Sequence, residues 1–145
     1  MAFWDSSALV ALLLEEATAK ELKPILLVEA NIEIWWATKV ELASAVCRSH
    51  RMGEIPEQML PILFKKIEQL TAQTNEIEPT PEIRNVAYRI LRIHNLRAAD
   101  ALQLAAALVL ADHNPSGESF VCLDNRLQQA ALKEGFSVLP KLGND

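Results

Sequence analysis

An α/β fold built on a parallel sheet is what this sequence predicts, on two observations. Short β-type runs alternate with longer helical patterns along the whole chain, the order expected when each strand is followed by a covering helix. Half of the 145 residues are apolar and only four are glycine, enough core for one domain spanning residues 1–145 with a loose tail from about Lys141.

The elements follow in order. Ala2 to Trp4 is a short apolar strand ending at Asp5, and Ser6-Ser7 is expected to cap a helix through Leu9, Val10, Leu13 and Leu14. A second helix covers Thr18 to Val28, and Ile32 to Ala37 forms the next strand, with Trp35 and Trp36 on opposite sides of the sheet. Thr38-Lys39-Val40-Glu41 has the spacing of a capping box opening a helix that Gly53 stops. Pro56 opens an amphipathic helix through Leu60, Leu63, Ile67 and Leu70, and Glu76 to Glu78 is a third short strand. Thr80-Pro81 starts a helix running to about Ile93. The next, from near Arg97, is apolar on nearly every side between Ala98 and Ala111 and is expected to lie buried. After a loop at residues 114–117, Phe120 to Leu123 is a strand ending at Asp124, a helix follows to Gly135, and Phe136 to Leu139 is the last strand.

Composition excludes several classes. The apolar run at Ala98 to Ala111 is interrupted by Asp100 and Gln103 and falls short of the roughly 20 residues a bilayer requires, so no membrane partner is expected. No basic leader follows Met1, and the expected location is cytoplasmic. Cys47 and Cys122 lie far apart in apolar surroundings, which argues against a disulfide or zinc site and for two core thiols. A net charge of −5 opposes nucleic-acid binding by bulk phosphate neutralisation, so any such role needs a local patch or a metal.

Ligands of open α/β sheets bind beyond the carboxyl ends of the strands. Four acids from distant segments fall there: Asp5 and Asp124 close strands, while Glu41 and Asp100 lie in first turns of helices. Each has a plainer reading. Glu41 suits a capping-box partner, and Asp5 and Asp124 suit helix caps. Asp100 sits among Ala98, Ala99, Ala101, Leu102 and Leu104, where an unpaired buried carboxylate costs several kcal/mol. Either Arg97 or a bound divalent ion must balance it. Oxygen-only ligands suit Mg2+ or Mn2+, which polarises a phosphoryl oxygen and orients water for phosphodiester hydrolysis.

Four segments together resemble one family: Asp5-Ser6-Ser7-Ala8-Leu9, Glu41-Leu42-Ala43-Ser44-Ala45, Leu96 to Ala105 with its Ala-Ala-Asp-Ala-Leu-Gln-Leu-Ala run, and Phe120 to Leu127. In order and spacing the chain is similar to PIN domains, specifically the VapC-type toxin ribonucleases of type II toxin–antitoxin modules. The resemblance implies a three-layer α/β/α sandwich with a mostly parallel sheet. It further implies a Mg2+- or Mn2+-dependent endoribonuclease with Asp5, Glu41, Asp100 and Asp124 as catalytic and metal-holding residues and Ser7 as a supporting hydroxyl. An RNA substrate, a protein antitoxin as inhibitor and a homodimer come with it. Some members carry a further acid where this chain has Arg126, which leaves one or two metals open. Asn125 reads either as a support for metal-bound water or as a polar first-turn residue.

Arg84, Arg89, Arg92 and Arg97, with His94, fall in a stretch free of acids after Glu82 and suit either an RNA backbone track, with Arg92 and Arg97 nearest the acids, or a solvated helix face. Arg48, His50 and Arg51 close a helix, where cations complement its dipole. Ile25 and Leu26 suit core packing or a groove for a second copy or an antitoxin. Other classes fit less well. Asp5-Ser6-Ser7 lacks the second Asp of a phosphatase nucleophile motif, no acidic pair precedes Asp5 as a receiver needs, and the scattered glycines build no phosphate loop. A catalytically silent binding module has no need of four acids at one edge.

Overall fold

The computed structural model describes residues 1–28 and 31–141, so the tail expected beyond Lys141 lies outside the described residues. Five strands form one sheet in the order β3-β2-β1-β4-β5. They are β1 (Ala2–Trp4), β2 (Ile32–Trp35), β3 (Asn75–Ile77), β4 (Ser119–Val121) and β5 (Ser137–Leu139), and every neighbouring pair is parallel.

This order places β1 at the centre and makes its gap with β4 the topological switch point. The chain steps outward one way through β2 and β3, then returns across β1 to lay down β4 and β5 on the other side. Right-handed crossovers put helices on opposite faces when the direction of travel reverses. Accordingly α1 (Ser6–Leu13), α2 (Ala19–Val28), α3 (Thr38–Arg51) and α4 (Leu60–Thr71) pack on one face, around Trp4, Ile34 and Val121. On the other face α5 (Pro81–Ile93), α6 (Ala98–Leu110) and α7 (Asn125–Glu134) pack around Phe3, Trp35 and Phe120. Alternation along strands does the sorting: Phe3 and Phe120, paired in register, stack with ring centroids 5.3 Å apart, while Trp4 and Val121 enter the opposite layer. The expected three-layer α/β/α arrangement is present, and its sheet is parallel throughout.

Local differences from expectation have identifiable causes. Asp5, rather than Ser6-Ser7, caps α1, because its Oδ2 accepts from the Ser7 amide at 3.1 Å. The capping box at Thr38 to Glu41 does not form: Ala37 is the residue before α3, with no side-chain cap, and both side chains are drawn into other bonds. The second strand ends at Trp35, which is buried, and Trp36 is half exposed in the turn. A 3-10 turn at Glu57–Met59 precedes α4, and β4 ends at Val121, whose carbonyl accepts from the Asp5 amide at 2.9 Å. Cys122 is buried as expected, whereas Cys47 is only partly so. Gly135 closes α7 at φ +110°, a conformation that side chains disfavour, with Pro115 against it.

Candidate active site

The switch point between β1 and β4 opens into a cleft of about 700 Å³ at the carboxyl edge of the sheet, lined by Asp5, Glu41, Asp100 and Asp124. All four acids singled out in the sequence, with Ser6 and Ser7, therefore border one space. Four helix N-termini meet there, and their partial positive charge offsets part of the anionic charge.

Each carboxylate is held differently. Asp5 is 2% exposed; Oδ2 takes the Ser7 amide and the Cys122 thiol, at 3.1 and 3.6 Å. Asp124, exposed at the cleft, caps α7 by accepting from the Leu127 amide through Oδ1 at 3.0 Å. The cap reading and the cleft reading thus both hold for these two, since capping engages one oxygen of each. Glu41 is clamped at both oxygens: Ser6 Oγ donates to Oε2 at 2.8 Å and Gln103 Nε2 to Oε1 at 2.9 Å. Gln103 also donates to Thr38 Oγ1 at 3.1 Å, and its own Oε1 is buried without a partner. Asp100 is half buried; the fully enclosed part of α6 begins one residue later, at Ala101. The most deeply buried acid is therefore Asp5, where the sequence pointed to Asp100.

Their electrostatics are those of crowded like charges. Burial, with the charges of Glu41 and Asp100, pushes Asp5 up to about 6 against the opposing Ser7 bonds. Burial likewise raises Glu41, countered by Ser6 and Gln103 and reinforced by Asp100. Asp100 is raised by burial and by Asp124, against the pull of Arg97. Burial also drives the Cys122 thiol far up, so it stays protonated and can donate. Among the described residues no Lys, Arg or His stands within ion-pair distance of any of the four.

That donor chemistry fits a hard divalent cation: oxygen ligands only, mutually repelling, without an ion-paired basic side chain among the described residues. Among the described residues no three His, Cys, Asp or Glu side chains already form a cage able to hold a metal ion. Mg2+ keeps several of its own waters and asks few direct protein ligands.

The remaining sequence candidates are dispersed. Ser7 Oγ accepts from the Leu123 amide at 2.9 Å and donates to Cys122 Sγ at 3.7 Å, tying α1 to the chain leaving β4. Asn125 begins α7 and does not border the cleft. Arg97 precedes α6 beside Asp100, while Arg92 lies with Tyr88 and Arg89 on a separate surface of α5. Two cleft features escaped the sequence reading: Gln103, which had only the look of an interruption in an apolar run, and Arg48, which lines the cleft.

Comparison with known proteins gives the family and the fold. The profile of the PIN domain family matches residues 2–132. This chain is a PIN domain protein. Ribonuclease VapC45 and Ribonuclease VapC49 of Mycobacterium tuberculosis strains are each 31% identical to it over 100 residues, 69% of this chain and 67% of theirs. The crystal structure of PAE2754 from Pyrobaculum aerophilum shares the fold, with a TM-score of 0.60 at 21% identity over 95% of this chain and 88% of that one. Among the described residues of this PIN domain, no helix is long and apolar enough to cross a membrane.

Proposed function

We propose that this chain is an endoribonuclease, the toxin of a type II toxin–antitoxin module, hydrolysing RNA phosphodiesters with Mg2+ or Mn2+ held by Asp5, Glu41, Asp100 and Asp124. The observation that carries the reading is the meeting of four acids from distant segments in one cleft with no ion pair to any of them among the described residues. The VapC ribonucleases to which the chain is similar support the reaction class.

A bound Mg2+ or Mn2+ would polarise a phosphoryl oxygen, orient water for attack and stabilise the leaving oxygen. The chain's own residues set up that chemistry. Ser6 and Gln103 hold the Glu41 carboxylate in one orientation, so α1, α3 and α6 cannot shift independently around it. The Ser7 amide and Cys122 thiol fix Asp5, whose value near 6 means that it loses its proton on the way to neutral pH. Asp124 is the most solvent-exposed of the four acids.

The same reading makes an antitoxin protein its inhibitor, a homodimer its working form and the cytoplasm its location. The deciding experiment is RNA cleavage by purified, antitoxin-free protein: activity with Mg2+ or Mn2+, none with EDTA, and none from Asp100→Asn. Activity that ignores EDTA, or hydrolysis confined to a small phosphomonoester, contradicts it.

A further inference from the structure

Five carboxylates line the cleft, the four above and Glu16, against a single basic side chain among the described residues, Arg48. Arg48 lies on α3 seven residues after Glu41, two turns along the same face, roughly 10 Å by the helical rise. Between them Ser44 and Ala45 also line the cleft, and neither side chain is large enough to block it. Long helical side chains tend to lean back toward the helix N-terminus, and the small residues between leave room for the Arg48 side chain to reach along the cleft.

Arg48 is exposed and forms no ion pair among the described residues, although Glu16 borders the same space. The other cations of that helix end are differently employed. His50 Nδ1 bonds the Ile55 carbonyl at 2.9 Å, and Arg51 is exposed outside the cleft. Complementing the helix dipole is a job that Arg51 does equally well; it does not account for an unpaired cation at the border of an anionic cleft.

We infer that Arg48 is the substrate-strand anchor of this site, binding a backbone phosphate of single-stranded RNA next to the one that reacts. This rests on the ribonuclease reading. A polyanion entering a cleft of five acids is repelled wherever the metal does not reach, and two turns of helix is beyond the reacting phosphate but within reach of its neighbour. A planar guanidinium takes such a phosphate through two parallel bonds. Because the contact is to backbone, it adds affinity and polarity of threading, not base preference.

The test compares Arg48→Ala, Arg48→Lys and Arg51→Ala, each measured for cleavage and, on an Asp100→Asn background that blocks cleavage, for binding of a short labelled RNA as a function of salt. Arg48→Ala is expected to weaken binding and raise KM about tenfold with kcat within about twofold, and to lower the salt slope by about 0.7, one phosphate contact on a single strand. Arg48→Lys should restore the slope and part of the affinity. Arg51→Ala, which removes the same charge from the same helix end, should match the parent in all three. Equal effects of Arg48→Ala and Arg51→Ala, or an unchanged slope, overturn the inference while leaving the nuclease intact. A parent protein that does not cut RNA overturns both.

Discussion

Two charged clusters in this molecule carry opposite electrostatic signatures. At the far end of α5, Glu134 of α7 receives Arg89 Nη2 at 2.9 Å and His94 Nε2 at 2.6 Å. Burial alone would push Glu134 up, yet those bonds and charges hold it below the ordinary carboxylate value. In the cleft, Asp5, Glu41 and Asp100 are all pushed up, because burial and their neighbours' negative charge act in the same direction. One cluster is complete within the protein and staples two helices. The other has no ion-pair partner among the described residues, the pattern expected of a site that would take a cation from solution rather than of a structural ion pair.

The contrast can be broken at several points. The largest effect is expected on chemistry: Asp5→Asn or Asp100→Asn should lower RNA cleavage on the order of a thousandfold, while Glu134→Gln leaves it within about twofold, in a gel-based assay with Mg2+. Next comes metal-free stability. A raised carboxylate favours folding below its unfolded value and loses that contribution as pH rises through its folded value, here from 3.8 to about 6. Asp5→Asn, which keeps a capping side chain, should therefore melt above wild type in EDTA at pH 7, by on the order of 2–3 kcal/mol, with the gap closing as pH falls from 6 to 4. Metal should reverse the order.

Glu134→Gln has the opposite sign. A lowered carboxylate stabilises above its unfolded value and loses that contribution as pH falls, so the variant should melt below wild type at pH 7 by about 1 kcal/mol. That deficit should vanish as the pH drops below the ordinary 4.5. A smaller effect is expected at Gln103→Leu, which removes the bond to Glu41 and also the orphaned Oε1. Cleavage should fall about tenfold with little change in the melting temperature.

Much of this was legible in the chain. The alternation of apolar runs places all five strands and the order of helices, because burial on a two-layered sheet imposes local periodicities. The four acids stand out because each ends a strand or opens a helix. Strand order does not show, since pairing β1 with β4 joins residues more than a hundred positions apart, and the switch point exists only once they pair. Glu41 is the sharper lesson. Thr38 and Glu41 have capping-box spacing, and no local signal reveals that Ser6 and Gln103, from other elements, take the carboxylate instead. Arg48 hides for the same reason: a cation in a helix's last turn already has a local explanation.

If the cleft acids hold a divalent ion as proposed, calorimetric titration of EDTA-treated protein with Mn2+ will register it. Wild type should bind with a dissociation constant that weakens at least about tenfold in Asp5→Asn and Asp100→Asn and is unchanged in Glu134→Gln. At pH 6, where Asp5 is part protonated, binding should release protons, and at pH 8 the release should disappear. Absence of Mn2+ binding, or binding that survives loss of Asp5 and Asp100 undiminished, would contradict the account.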